Sequence, residues 1–132
     1  MSQYFISHLH RKRFINMTIE DRMSLHDLER TTLFYILSGN DELYEKRKFI
    51  YDYSQHSIRP CLENSDVDFS SAMRSLIRLG FNLYNGWSDV YTTPLYLLGS
   101  LDQHNLLLAE NAIMFRFNSC FNSCLLENFV EG

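Results

Sequence analysis

The chain has 132 residues, 45% of them apolar, and carries 12 Lys and Arg against 16 Asp and Glu for a formal charge of −4. That length suits one domain able to bury about two-thirds of its unfolded surface, so a core needs neither metal nor disulfide to hold it. With 21% charged and 14% aromatic residues, the composition excludes a disordered segment and, at this net charge, a strongly basic nucleic-acid binder.

At the N-terminus the apolar Tyr4, Phe5 and Ile6 precede Arg11, Lys12 and Arg13, the reverse of the order in a secretory signal. A helix is expected from Ser7 to Asn16, with Leu9, Phe14 and Ile15 inward and the three basic residues outward. The next is expected to be capped by Ser24, with Asp27 in its acidic first turn, and to run through Leu28 and Leu33 to Leu37 until Gly39 supplies a left-handed stop. Because nearly every position from Leu33 to Leu37 is apolar, this helix should be central. Asn40 can cap a third, with Asp41 and Glu42 at its positive end, Lys46, Arg47 and Lys48 toward its negative end, and a weaker stripe of Leu43, Tyr44, Phe49 and Ile50.

From Tyr53 to Asp68 no helical period is present, and Pro60 with several Ser, Asn and Asp residues marks a long loop anchored by Ile58 and Leu62. Phe69 to Tyr84 is the clearest helix. Phe69, Ala72, Met73, Leu76, Ile77, Leu79, Gly80, Leu83 and Tyr84 follow the 3.6 period until Asn85-Gly86 ends it. Thr93-Pro94 opens a short helix to Leu98. Ser100 and Gln103 have capping-box spacing for a last helix whose Leu106, Leu107, Ala109, Ala112 and Ile113 should face the core. The expected fold is therefore all-α, a compact single-domain bundle of five to six helices over residues 1–132, with a long loop around residues 53–68. Residues 117–132 are expected to form a variable tail, in which Phe117-Asn-Ser-Cys120 is repeated at once as Phe121-Asn-Ser-Cys124.

Localisation is expected to be cytoplasmic. The apolar runs, Leu33 to Leu37 and Leu106 to Ala109, fall far short of the roughly 20 residues of a membrane span. Three cysteines, Cys61, Cys120 and Cys124, are odd in number and fit reduced thiols. Charge divides unevenly: Met1 to Ile50 holds eight basic and seven acidic residues, while Tyr51 to Gly132 holds four and nine. The acidity belongs to the C-terminal part, where it reads as a solvated surface or as a face for a basic partner.

No phosphate-cradling glycine loop, H-E-x-x-H or C-x-x-C occurs, so no cofactor and no metal is expected, and no catalytic residue stands out. Arg74 and Arg78, four apart on the helix expected from Phe69 to Tyr84, can grip a phosphate or a carboxylate-bearing partner, or pair with Asp66, Asp68 or Asp89. Trp87 and Tyr91 follow that helix with Tyr84 at its end, and together with His56 of the long loop these are candidate protein-partner contacts. An alternative uses Arg11, Lys12, Arg13, Lys46, Arg47 and Lys48 as a nucleic-acid surface. Another joins Asp52 and His56, four apart, with Cys61 as a small hydrolase or transferase site. His8 and His10, two apart, would point to opposite sides of a helix.

Three phrases carry a resemblance: D-L-E-R-T-T-L-F-Y-I-L-S-G-N-D-E-L-Y (Asp27 to Tyr44), F-I-Y-D-Y (Phe49 to Tyr53) and F-S-S-A-M-R-S-L-I-R-L-G-F-N-L-Y-N-G (Phe69 to Gly86). In them the chain resembles a family of short uncharacterised proteins of Gram-positive bacteria and their mobile elements. The tail after Phe117 is not part of that resemblance. It implies no assigned activity, catalytic residue or cofactor. It does order the expectations: first a non-enzymatic cytoplasmic protein-interaction module, in specific form a phage or mobile-element inhibitor of a host defence nuclease complex, of anti-CRISPR type, acting by steric occlusion. Fold and context by themselves establish none of these.

Overall fold

A computed structural model describes residues 4–22, 27–63, 67–118, 120, 121 and 123. Among them the chain forms helices α1 (His8–Asp21), α2 (Leu28–Ser38), α3 (Asp41–Glu45), α4 (Arg47–Ile50), α5 (Ser71–Asn85), α6 (Pro94–Leu98) and α7 (Gln103–Phe117), with one small hairpin, β1 (Tyr51–Asp52) and β2 (Ser57–Ile58), between α4 and α5. The fold is all-α apart from that hairpin. No helix among the described residues is long and apolar enough to cross a membrane.

The centre is α2, every residue of which from Thr31 to Ser38 is buried. It packs against α1, α5 and α7, and each fully buried Leu, Ile or Phe contributes about 1.5–3 kcal/mol. Two hydroxyls in this dry helix are satisfied one turn back, Thr31 Oγ1 donating to Asp27 O at 2.9 Å and Thr32 Oγ1 to Leu28 O at 2.7 Å. Tyr35 stacks on Phe115 of α7 with ring centroids 5.9 Å apart and donates its hydroxyl to Tyr4 O. Burial raises the pKa of that hydroxyl.

Capping chemistry sets most boundaries. Ser7, Asp27, Asn40, Ser70, Thr93 and Asp102 each accept a backbone N–H of the first turn they precede. The cap of α2 is thus Asp27; Ser24 lies outside the described residues. For α7 the cap is Asp102 rather than Ser100, and packing against α2 and α5 buries Asn105, Leu108, Ala109, Ala112 and Phe115, leaving Leu107 about half exposed. Helix α1 runs five residues past the expected Asn16, because Phe14, Met17, Thr18 and Asp21 continue its buried side at i, i+3, i+4 and i+7. Leu9, expected inward, is 48% exposed.

The expected third helix divides at Lys46 into α3 and α4, so seven helices stand among the described residues where five to six were expected. The two glycine stops also differ. Gly86 takes the left-handed φ of 83° that ends α5 as expected. Gly39, with φ −92°, is not left-handed. What favours glycine there is close approach, since a Cβ would press on both terminal methyls of buried Leu108 of α7.

The expected loop from Tyr53 begins instead with a tight hairpin, Tyr51 pairing with Ile58 and Asp52 with Ser57. Asp52 Oδ1 builds its turn by accepting Ser54 N at 2.9 Å, Gln55 N at 3.1 Å and Ser54 Oγ at 2.7 Å. These bonds, from Ser54 first, hold the Asp52 carboxyl below its ordinary pKa. His56 closes the turn at φ 53°, a left-handed conformation that costs a side-chain-bearing residue free energy.

Candidate functional site

The aromatic segment after α5 is ordered by one carboxylate. Asp89 accepts Arg78 Nε at 2.9 Å, Tyr91 N at 3.0 Å and Thr92 Oγ1 at 2.9 Å. Although partial burial works the other way, these bonds hold Asp89 below its ordinary pKa. The Arg78 guanidinium also lies 5.0 Å from the Tyr91 ring centroid, and Tyr91 meets Tyr96 edge to face at 5.4 Å. On this frame Val90 is 79% exposed, Leu95 77%, Tyr96 54% and Tyr91 47%. The result is an apolar knuckle that is tied down from beneath and bare on top.

Beside it, Trp87 packs edge to face on Phe81 at 5.8 Å, and its carbonyl accepts Asn82 Nδ2. Trp87 and Phe81 form one wall of a groove of about 240 Å³ whose other wall is Ile58, Pro60 and Leu62, with Arg59 and Glu63 also lining it. The volume suits one or two apolar side chains rather than a drug-sized ligand.

Beneath the hairpin lies the densest polar arrangement. The Asp21 side chain, fully buried, accepts Arg30 Nη1 at 2.8 Å and Tyr51 Oη at 3.1 Å on Oδ2, and faces His56 Nδ1 at 2.8 Å on Oδ1. Arg30 also binds Asp27, its cap residue, at 2.7 Å. Tyr84 reaches the same place, its hydroxyl donating to His56 O at 3.4 Å. Burial raises the Tyr51 hydroxyl pKa, as does the adjacent Asp21 carboxylate. The knot fastens the hairpin to the α1–α2 junction and so holds the Ile58 side of the Trp87 groove. Among the described residues every buried side-chain polar atom has a partner.

Each expected site residue thus has a defined place. Arg78 is paired with Asp89, one of the three partners anticipated for it, while Arg74 is half-buried four residues earlier and makes no ion pair with a described residue. Tyr91 is in the exposed knuckle, Trp87 and Tyr84 are half-buried, and His56 keeps a side chain 48% exposed. The i,i+4 pairing of Asp52 with His56 is not made, because the segment is a hairpin and not a helix; the carboxylate that meets His56 is Asp21. Cys61 is buried, and burial pushes its thiol up to about 11, away from the thiolate a nucleophile needs.

Of the basic runs, Arg13 pairs with Asp41, Lys46 with Glu42 at 3.2 Å, and Arg47 clamps both oxygens of Glu20 at 3.0 and 2.8 Å. The Arg47 clamp, ahead of a hydrogen bond from Tyr53, holds Glu20 below its ordinary pKa. Lys12 and Lys48 are exposed. His8 is exposed and His10 buried, on opposite sides of α1. Among the described residues no three His, Cys, Asp or Glu side chains are placed to hold a metal ion. Cys120 is exposed and Phe121 packs edge to face on Tyr4 at 5.1 Å, whereas Cys124 lies outside the described residues.

Sequence reading missed Asp21, Arg30 and Tyr51, whose meeting depends on chain segments up to 30 residues apart. It also missed Val90, Leu95 and Tyr96. Their signal was two apolar pairs, Val90-Tyr91 and Leu95-Tyr96, beside turn formers and outside any long helical period.

Residues 1–127 match a family of unknown function (DUF6075), and the chain belongs to it. The match continues past Phe117, so the Phe-Asn-Ser-Cys doublet, which was left out of the resemblance, falls inside the family's span. No curated protein and no solved structure matches the chain.

Proposed function

We propose that this family member is a small non-enzymatic protein-interaction module that docks through the knuckle of Val90, Tyr91, Leu95 and Tyr96. The observation that carries the reading is the combination of order and exposure: four large side chains are 47–79% exposed on a segment tied by Asp89 to Arg78, Tyr91 and Thr92. Exposed apolar clusters of this kind mark contact sites, and a segment ordered before binding loses less entropy when it binds. Arg78 acts here as a positioning residue, and the Trp87 groove is the neighbouring pocket for a partner's apolar anchor.

In its finer form the module is a cytoplasmic inhibitor from a phage or mobile element that blocks a host defence nuclease complex by steric occlusion, as anti-CRISPR proteins do. The support is the small acidic chain, the family resemblance of its sequence, and a binding surface that needs no chemistry. The test is affinity capture from host lysate with cross-linking, comparing the natural chain with Leu95→Asp and with Tyr91→Ser, followed by target-cleavage assays of the captured complex. One stoichiometric protein partner, lost with either variant at unchanged melting temperature, is the expected result. A partner retained equally by both variants overturns the docking surface, and unaltered cleavage overturns the inhibitor form. Nucleic-acid binding, the competing reading, draws on exposed Lys12 and Lys48. It predicts a gel shift that weakens steeply with salt.

A further inference from the structure

A second groove lies on another face, between α1 and α3. Its apolar lining is Leu9, Ile15, Ile19 and Tyr44, its volume about 480 Å³, and its charged side chains are Lys12 and Arg13. Both are cations, in a chain whose formal charge is −4. Leu9 is 48% exposed and Ile19 68%, and exposed Lys12 and Asn16 stand between them on the same side of α1. Tyr44 forms the opposite wall and is fixed in place: the guanidinium carbons of Arg13 and Arg47 lie 4.8 and 4.0 Å from its ring centroid, and its hydroxyl accepts Asn16 Nδ2. Arg13 is itself aimed by Asp41.

We propose that this groove takes an acidic amphipathic helix of a protein partner, laid along α1. Leu9 to Ile19 spans about 15 Å at 1.5 Å per residue, the length of some three helical turns, and this favours apolar anchors at i, i+3 or i+4, and i+7. Charge selects the partner's flanks. Of the two lining cations Arg13 is paired with Asp41, so charge selection falls to Lys12: Asp or Glu beside the anchors meets it favourably, while Lys or Arg meets repulsion. An anionic membrane surface is the weaker fit, because stable adsorption calls on clusters of about four to eight basic residues, and here Arg13 and Arg47 are paired with Asp41 and Glu20. The same count disfavours the phosphate backbone of a nucleic acid, whose affinity grows with the number of phosphates neutralised. This surface is separate from the Val90–Tyr96 knuckle and does not depend on it.

The test is a display selection of random 14-residue peptides on the full-length protein, with counter-selection on Ile19→Asp, read out by sequencing and then by fluorescence anisotropy on the winners. Enriched peptides are expected to be acidic, with apolar residues at helical spacing. Their affinity should fall at least tenfold for Ile19→Asp and for Lys12→Glu, and a peptide with Lys in place of its flanking Glu should recover binding to Lys12→Glu. Both positions are exposed, so circular dichroism melting curves should be unchanged. Enrichment of basic or non-amphipathic peptides, binding indifferent to Ile19→Asp, or no enrichment at all overturns the proposal. So does perturbation of the Leu9 and Ile19 methyl resonances by phosphatidylserine vesicles but not by the selected peptide.

Discussion

The Asp21 knot and the Val90–Tyr96 knuckle reverse the usual partition of a soluble protein. In the knot, charge is buried: a fully covered carboxylate is held by Arg30, Tyr51 and His56. In the knuckle, apolar surface is bare: Val90 and Leu95 are each more than three-quarters exposed. Both arrangements are ordered by a carboxylate, Asp21 in one and Asp89 in the other. What differs is the consequence of disturbing the buried charge in one and the bare apolar surface in the other. Breaking a buried ionic cluster leaves uncompensated charge inside, whereas altering exposed apolar side chains leaves the folded state nearly as it was. The comparison teaches that the knot serves the fold, whereas the knuckle, which the fold leaves uncovered, is the surface we propose for contact.

The largest effect should come from Asp21→Ala. It takes the shared acceptor from Tyr51 and the inner nitrogen of His56 and leaves Arg30 with Asp27 as its one carboxylate partner among the described residues, and a cost of about 3–5 kcal/mol is expected in urea unfolding. Asp21→Asn, which keeps an acceptor, should lose less. A loss below about 1 kcal/mol for Asp21→Ala would mean that the knot is not structural and would break the contrast.

Next comes a pH effect from another buried polar group. Burial lowers the His10 pKa from 6.5 to about 4, and Arg13 and His104 act in the same direction. Its ring is also committed as a neutral species, Nδ1 accepting Ile6 N at 3.1 Å and Nε2 facing Tyr35 O at 2.8 Å. Between pH 6.5 and 4 the unfolded chain takes up a proton that the folded one refuses. Stability is therefore complete above about 6.5 and falls as the pH drops toward 4, by up to about 3 kcal/mol. Urea midpoints across this window should slope for the natural chain and flatten for His10→Gln; equal slopes would assign the effect elsewhere. Below that window the lowered carboxyls of Glu20, Asp52 and Asp89 add further loss.

Smaller again is Gly39→Ala, which presses a methyl into buried Leu108 and should cost about 1–3 kcal/mol by thermal or urea unfolding. At the bottom of the scale, Leu95→Asp should stay within about 0.5 kcal/mol of the natural chain while losing its partner. A large stability loss there would show that the knuckle belongs to the fold after all, and the contrast with the knot would fail.

Much of the architecture is legible from short-range chemistry. Asn40, Thr93-Pro94 and Gly86 act where their residue types predict, because a cap or a left-handed stop is decided within one turn of chain. The central burial of Leu33 to Leu37 follows from a stretch with no polar face to turn outward. The candidate site was legible only in part. Arg78 and Tyr91 were visible from helical spacing and aromatic clustering, and Asp89 was anticipated as a partner of Arg78, but the apolar pairs Val90-Tyr91 and Leu95-Tyr96 do not themselves say whether they face the core or solvent, and that is decided by the packing around them.

The sequence by itself therefore determined the all-α class, the starts of α1, α3 and α6, the central helix and the absence of a long apolar span. Tertiary structure alone decided that His56 faces Asp21 and not Asp52, that α7 turns Leu108 inward and Leu107 outward, and that close approach favours Gly39. The physical reason is range. Caps, stops and periodicity act over one or two turns, while the partner of a side chain 35 residues away, or the phase at which a helix meets its neighbours, depends on how all the buried surfaces are satisfied at once.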